Sequence, residues 1–167
     1  MKVLWAPWRM EFILAKKTKA CIFCRILKEK KDRKNLILAR KKHCFVVLNK
    51  FPYNNGHLMV IPYRHTATLS HLSAAEKLEM MEALAEATDN LKKKLKPEGF
   101  NAGLNLGRVA GAGIKDHLHF HLVPRWGADT NFMPLFGETK AIPEHLSKSY
   151  DHLATAWRRH PAWRKRK

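Results

Sequence analysis

The segment DHLHFHLVPRW, which begins at Asp116, carries three histidines at every second position: His117, His119 and His121. Large apolar residues stand between them. An extended backbone places alternate side chains on opposite faces, whereas a helix would scatter the three imidazoles around its axis. The pattern therefore predicts a strand over residues 117–123. One of its faces would be apolar, and the other would carry a row of imidazoles about 6.6 Å apart.

Four further segments predict strands. β-Branched and large apolar residues cluster on both sides of the basic turn in NLILARKKHCFVVLNK, which indicates two strands. The others are HLMVIPY and FNAGLNLG. Pro, Asn and Gly mark the loop FPYNNG that precedes HLMVIPY.

One long helix and shorter ones accompany these strands. Ser73 followed by Glu76 fits a capping box, and apolar residues recur at helical spacing as far as Leu95. CIFCRILKEK predicts a short helix, and a last amphipathic helix is predicted from about residue 143. The order of helix, strands, helix and strands favours an α+β fold with an antiparallel sheet of about five strands.

The length of 167 residues and the hydrophobic share of 46% fit one globular domain with a core of its own. The expected parts are an N-terminal arm, a core, and a C-terminal extension with a basic tail, over residues 1–20, 21–126 and 127–167. Trp5 and Trp8 are expected to pack the arm onto the core.

Several classes of protein are excluded by the composition. No apolar segment approaches the roughly 20 residues that a membrane-spanning helix needs, and the charged and proline-containing N-terminus does not fit a secretion signal. Three cysteines, two of them in the CIFC segment, do not form an even disulfide framework. We therefore expect a cytoplasmic protein with no membrane partner.

The net charge of +18 predicts attraction to polyanions. The segment 157–167 reads WRRHPAWRKRK and contributes 6 basic residues and no acidic one. Trp157 and Trp163 among these charges are the best support for a nucleic-acid-binding module, because stacking and basic charge together bind single strands. This function remains an alternative to an enzyme.

A glycine-rich loop precedes the histidines. Glycines allow positive φ and close approach of the backbone to a ligand, so amides can converge on a phosphate. Such loops also simply connect strands. Next to the imidazole row, the loop indicates a nucleotide phosphate site, and its glycines are Gly107, Gly111 and Gly113.

HLHFHLV resembles the signature of the histidine-triad (HIT) family, and LNKFPYNNGHLMVIPYRH resembles that family's nucleotide-binding segment. The resemblance spans about residues 20–126. The flanks LWAPWRMEFI and PRWGADTNFMP are similar to the branch that cleaves diadenosine tetraphosphate by phosphorolysis or hydrolysis. The expected fold is thus a HIT-like domain with one long and one shorter helix.

The resemblance implies a role for each matching residue. It makes His119 the nucleophile at the α-phosphate, with His121 bonding the phosphate and His57 orienting the central ring. It implies contacts of Asn49 with ribose and of Asn105 near the phosphates. The implied base pocket, for which ordinary core packing is an equal alternative, is lined by Ile22, Phe23, Ile26 and Val47.

One departure from the family bears on the substrate. Many members that hydrolyse mononucleotides carry Gln and Ser or Thr before the triad, whereas Gly113 and Ile114 stand here. No hydroxyl is available to protonate the leaving group, so Lys115 or Asp116 would replace it, or an anionic polyphosphate would need less help. Dinucleoside polyphosphates are therefore favoured. The alternatives are a nucleoside phosphoramidate hydrolase and a protein that acts on adenylylated nucleic-acid ends.

Cys21 and Cys24 form a CxxC pair that suits tetrahedral zinc, but two thiolates are only half of a site. The resemblance implies that His65 and His117 complete it. A reduced CxxC without metal is the alternative. We expect structural zinc and no organic cofactor. The resemblance also implies a homodimer, with the long helix and a neighbouring strand in the interface.

Overall fold

The computed structural model describes residues 20–127, residue 129 and residues 144–158. The predicted N-terminal arm, with Trp5 and Trp8, lies outside the described residues, as does the tail beyond residue 158. The division into arm, core and extension therefore stays a prediction.

The described residues form an α+β fold, as predicted, with a five-stranded antiparallel sheet in the order β1-β2-β3-β5-β4. The strands are β1 (Ile37–Arg40), β2 (Cys44–Leu48), β3 (Leu58–Pro62), β4 (Gly99–Leu104) and β5 (Phe120–Arg125). The helices are α1 (Ile22–Glu29), α2 (Ala74–Leu95) and α3 (Leu146–Arg158), and a 3-10 helix spans Leu69–His71.

The predicted capping box of α2 is present. The Ser73 side chain accepts a hydrogen bond from the Glu76 backbone N–H at 3.2 Å, and the Glu76 carboxylate accepts one from the Ser73 N–H at 2.7 Å. These bonds satisfy two donors that a helix N-terminus otherwise leaves unpaired. At its other end the helix stops at Leu95, because Lys96 adopts the left-handed conformation.

Alternation along the central strands divides the interior into two layers. In β2, Cys44, Val46 and Leu48 face α2 and α3, while Phe45 and Val47 face the side of α1. All five residues of β2 and all five of β3 are buried, since both faces of these strands are covered. The sheet is therefore the middle layer, and the α1 side is the face on which the imidazoles lie.

The ladder of β5 begins at Phe120, three residues later than predicted. The β3 register pairs Val60 with Phe120, so Pro62 would stand opposite Leu118, and a proline has no N–H to donate. The Leu118 N–H instead donates to the Thr66 carbonyl at 2.7 Å. The predicted alternation still holds. Leu118 lies in the layer of α2 and α3, whereas the rings of His117 and His119, its near neighbours in sequence, contact Phe23 on the other face.

Trp157 does not belong to an exposed tail. It is a residue of α3 and is 2% exposed. Together with Leu153 and Tyr150 of the same helix it belongs to the core layer between the helices and the sheet. Its ring already fills the core, so Trp157 no longer supports the alternative of a nucleic-acid-binding module. Among the described residues, none of the helices combines the length and the hydropathy that crossing a bilayer requires.

Candidate functional site

Two histidines, one directly before β3 and one in β5, share a hydrogen bond at the centre of the site. Met59 of β3 pairs with His121 of β5, and His57 precedes β3 on the same face as Met59. The His57 Nε2 and His121 Nδ1 atoms are consequently 2.8 Å apart. His57 is fully buried, whereas His121 is half-buried and reaches the surface of the site.

The hydrogen-bond partners assign the tautomers of both rings. The Tyr53 backbone N–H donates to His57 Nδ1 at 3.0 Å, so this nitrogen is an acceptor. A neutral ring then carries its proton on Nε2 and donates it to His121 Nδ1. It follows that His121 presents its own Nε2–H as a donor away from His57.

His119, the central histidine of the row, has the opposite tautomer to His57 and His121. His119 Nδ1 lies 2.8 Å from the His117 carbonyl oxygen, which can only accept, so Nδ1 carries the proton. In the neutral ring Nε2 therefore holds a free lone pair. The His119 and His121 ring centroids are 4.9 Å apart. The site thus combines a nitrogen lone pair with an N–H donor on adjacent rings.

Burial keeps the His57 and His121 rings uncharged. Burial, followed by the nearby His121 and His119 imidazoles, lowers the pKa of His57 to about 3. Burial, followed by His119, lowers the pKa of His121 to about 4. Both rings are neutral at pH 7, as the tautomer assignment requires.

The resemblance implies that His57 orients the central ring, and this role stays a prediction, because the hydrogen bond of the His57 ring is to His121. The ring of His119 is held by the His117 carbonyl, and His57 holds His121 instead. The cause is the register: His121 is opposite Met59 and therefore diagonal to His57, while His119 precedes the paired part of β5.

The two asparagines that were predicted to contact the nucleotide lie in different parts of the site, one beside His57 and one beside the glycine-rich loop. The Asn49 side-chain nitrogen is 3.3 Å from His57 Nδ1, and its oxygen accepts the Phe51 N–H at 3.0 Å. Asn105 follows β4, and its side-chain nitrogen lies 3.6 Å from where a Cβ on Gly111 would stand. The φ angles of Gly107 and Gly111 are both 87°, so this loop uses the left-handed freedom of glycine as predicted. Gly113 is exposed and has open space around it.

The apolar residues assigned to a base pocket gather on the α1 side of the sheet. Phe23, Ile26 and Val47 are at most 9% exposed and belong to one cluster, against which Ile22 packs. Phe23 also contacts the His117 and His119 rings, at centroid distances of 5.4 and 5.3 Å. The cluster therefore adjoins the imidazoles, and a base pocket and ordinary core packing both stay compatible with its burial.

Lys115 and Asp116 form an exposed ion pair with each other at 2.7 Å. Their side chains are 58% and 64% exposed. Both follow Ile114 in the loop that leads to His117. An exposed pair of this kind is held weakly, because solvent screens the attraction.

The four predicted metal ligands come together. Their donor atoms lie within 4.8 Å of one another, and they belong to Cys21, Cys24, His65 and His117. They arrive from the start of α1, from the segment after β3 and from the segment before β5. The Phe23 ring packs edge-on against the His117 ring, which ties this cluster to the imidazole row.

The spacing and the hydrogen bonds of the cluster fit zinc. Ligands 2.0–2.3 Å from a tetrahedral ion are themselves about 3.3–3.8 Å apart. His117 Nδ1 is 3.3 Å from Cys21 Sγ, 3.7 Å from Cys24 Sγ and 3.2 Å from His65 Nδ1. His117 Nε2 donates to the Pro62 carbonyl at 2.9 Å, so its Nδ1 is free of a proton, as a metal ligand must be.

One residue of the site was not found from the sequence. The Tyr53 ring stacks on His57 at a centroid distance of 4.8 Å and lies 5.8 Å from His121. The only signal was an aromatic residue in the loop FPYNNG before His57, where a turn does not need one.

Comparison with known proteins defines the class. A family model described as "HIT domain" matches residues 29–127. "AP-4-A phosphorylase" of Mycobacterium tuberculosis is 41% identical over 95% of this chain and 85% of its own length. "Adenosine 5'-monophosphoramidase" of Schizosaccharomyces pombe is 33% identical over 64% of this chain and 74% of its own length.

Solved structures agree on the fold. A hypothetical histidine triad nucleotide-binding protein from Sulfolobus tokodaii is 26% identical with a TM-score of 0.65, over 83% of this chain and 89% of that one. A Zn-bound histidine triad family protein from Mycobacterium smegmatis is 24% identical with a TM-score of 0.67. The match covers 82% of this chain and 92% of that one. The chain therefore belongs to the HIT domain family.

Proposed function

We propose that this protein cleaves diadenosine polyphosphates at the α-phosphate through a nucleotidyl intermediate on His119. The observation that carries the proposal is the pairing of a lone pair on His119 Nε2 with an N–H donor on His121, on rings 4.9 Å apart. The 41% identity to the AP-4-A phosphorylase of Mycobacterium tuberculosis supports this substrate class.

Covalent transfer would divide the reaction into two steps. His119 Nε2 attacks the α-phosphorus, and the bond from phosphorus to the bridging oxygen breaks. With diadenosine tetraphosphate the leaving group is ATP and the adenylyl group remains on the imidazole. The His121 Nε2–H donates to a phosphoryl oxygen, where negative charge develops. Inorganic phosphate then takes the adenylyl group and gives ADP, or water takes it and gives AMP.

The leaving group fits the residues of the loop before the triad. Gly113 and Ile114 have no hydroxyl with which to protonate it. A polyphosphate leaving group is stable as an anion, so it needs less protonation than an amine does. The residues therefore support a dinucleoside polyphosphate over a phosphoramidate.

Zinc would have a structural role in this proposal. Cys21, Cys24, His65 and His117 would hold it, and four protein ligands leave no open position for water or substrate. When bound, the ion would connect three parts of the chain next to the catalytic row. The steps above use only the imidazoles of this chain.

The decisive assay is incubation with diadenosine tetraphosphate, with and without inorganic phosphate, followed by separation of AMP, ADP and ATP. ADP that forms only with phosphate identifies phosphorolysis, and AMP without phosphate identifies hydrolysis. We expect His119→Ala to lower kcat by at least about a thousandfold, since it removes the nucleophile. Absence of dinucleotide turnover by the wild-type protein, or full activity of His119→Ala, would contradict the proposal.

The second candidate is a nucleoside phosphoramidate hydrolase, because the Schizosaccharomyces pombe relative carries the name of a monophosphoramidase. Adenosine 5'-monophosphoramidate in the same assay distinguishes the two. A higher kcat/KM for this substrate than for the dinucleotide would favour the second candidate. Nucleic-acid binding by the basic tail is tested by deleting residues 159–167, which spares the buried Trp157.

We also propose that the protein forms a homodimer. On α2 the side chains of Leu78 and Met81 are 61% and 46% exposed, and β4 is an edge strand of the sheet. Exposed apolar side chains and an edge strand, which β4 is in the sheet of the described residues, are common features of interfaces between copies. Light scattering after size exclusion measures the mass of the assembly, and a mass of one chain would contradict the proposal.

A further inference from the structure

Tyr53 occupies an unusual position for a large aromatic side chain. It is 53% exposed, so hydrophobic burial does not explain where it lies. Its ring nevertheless stacks on the buried His57 ring, with an angle of 30° between the planes. It also reaches the His121 ring at a centroid distance of 5.8 Å and an angle of 34°. Tyr53 therefore covers the hydrogen bond between these two imidazoles on the side facing solvent.

The same residue contacts His57 through its backbone. The Tyr53 N–H donates to His57 Nδ1 at 3.0 Å, which assigns the His57 proton to Nε2. The donor chain then runs from the Tyr53 N–H through His57 to His121, and ends at the His121 Nε2–H. The Asn49 side-chain nitrogen, 3.3 Å from the same Nδ1, favours the same tautomer. Loss of the Tyr53 ring keeps both donors but exposes the donor chain to water, which can exchange the tautomers of His57 and reverse the donor on His121.

The loop that carries Tyr53 is fixed at several points. The buried Asn54 side chain donates to the Pro124 carbonyl at 2.9 Å, and its backbone carbonyl accepts the His57 N–H at 3.1 Å. Gly56, with φ of 73°, lies against α2: a Cβ there would stand 2.5 Å from a methyl carbon of Leu95. These contacts fix the loop segment that directly follows Tyr53.

We infer that Tyr53 is a positioning residue that holds the His57–His121 pair in the tautomer that presents a donor to the substrate. The inference rests on the proposed function for its catalytic consequence, but the tautomer itself is measurable without substrate. The groups that face the His57 ring are the imidazoles of His119 and His121, the Asn49 amide and the Tyr53 ring. Burial and the two imidazoles lower the pKa of His57, and loss of the Tyr53 ring would admit water to it.

The test compares Tyr53→Ala with Tyr53→Phe in the full chain. Two-bond ¹H–¹⁵N spectra of the histidine rings report tautomer and titration. We expect His57 to be an Nε2–H tautomer in the wild type and in Tyr53→Phe. In Tyr53→Ala we expect a mixture of tautomers and a higher pKa. Phe51→Ala, which removes another partly exposed ring from the same loop, is the matched control and should leave the His57 spectrum unchanged.

Kinetics supply the second readout. We expect Tyr53→Ala to lower kcat by about tenfold to a hundredfold with little change in KM, since a misplaced donor affects the reaction more than binding. Tyr53→Phe should restore kcat. An unchanged His57 tautomer in Tyr53→Ala overturns the inference, even if kcat falls. If the wild type fails to turn over any dinucleotide, the proposed function fails, and the spectra still decide the role of Tyr53.

Discussion

At the scale of single residues, the site depends on which nitrogen of each histidine carries the proton. His117 donates from Nε2 to a carbonyl, His119 donates from Nδ1 to a carbonyl, and His57 accepts at Nδ1 from a backbone N–H. Each assignment follows from a backbone group that can act in only one way. The three imidazoles therefore adopt two different tautomers without any change of residue type.

Burial of a neutral histidine predicts a pH dependence of stability. The pKa of His57 is about 3 in the folded protein against 6.5 when it is unperturbed. Between these values the unfolded state binds more protons, so the free energy of unfolding falls as the pH decreases from 6.5 towards 3. His57→Gln removes this contribution. Urea unfolding at pH 7 and pH 4.5 should show a smaller loss in His57→Gln than in the wild type. An equal loss would contradict the explanation.

At the scale of elements, α2 organises the segments around it through two carboxylates in its first two turns. The Glu76 carboxylate accepts from the Ser73 N–H and pairs with Arg64, and together these contacts lower the pKa of Glu76 to about 2. The Glu79 carboxylate accepts the N–H groups of residues 42–44 in the turn between β1 and β2. The helix thus fixes the turn from which β2 enters the sheet.

The N-cap of α2 gives a quantitative prediction. Ser73→Ala removes the acceptor for the Glu76 N–H, and loss of such a cap costs about 1 kcal/mol. We expect the midpoint of thermal unfolding to fall by about 3 °C. Ser73→Asp is the matched control, because aspartate also caps helices well and should keep the wild-type midpoint. Equal midpoints for the alanine variant and the wild type would show that another group replaces the cap.

At the scale of the whole molecule, the predicted metal ligands bring distant parts of the chain together beside the imidazole row. Cys21 and His117 are 96 positions apart in sequence, and their donor atoms are 3.3 Å apart. His117 contributes its ring to this cluster and its carbonyl to the orientation of His119. Displacement of His117 would therefore disturb both the cluster and the proposed nucleophile.

Removal of the metal should therefore lower global stability. We expect about one zinc per chain in the purified protein, measured by elemental mass spectrometry. If zinc is present at about a thousand times its Kd, its loss lowers the midpoint of thermal unfolding by about 10 °C. Cys24→Ser should lose the metal, and His152→Gln, at an exposed histidine on α3, should keep it. A zinc-free wild type, or a midpoint insensitive to chelation, would contradict this prediction.

The sequence by itself determined the features that depend on local order. Alternation of imidazoles and apolar residues predicted which side chains share a face, and Ser73 with Glu76 predicted the start of α2. The resemblance of HLHFHLV and its neighbouring segments then indicated the family and the four metal ligands that the structure brings together. The alternation, the capping box and the family are confirmed, because period, capping chemistry and motif spacing are properties of neighbouring residues. Metal binding by the four ligands stays a prediction.

Only the tertiary structure decided the features that depend on contacts between distant residues. Pro62 ends the pairing of β5, the packing of α3 buries Trp157, and the strand register gives His57 to His121 and not to His119. The stacking of Tyr53 on the imidazoles likewise depends on how its loop lies against the sheet. The physical reason is that a ring's proton, partner and exposure are determined by the groups packed around it, and those groups come from other strands.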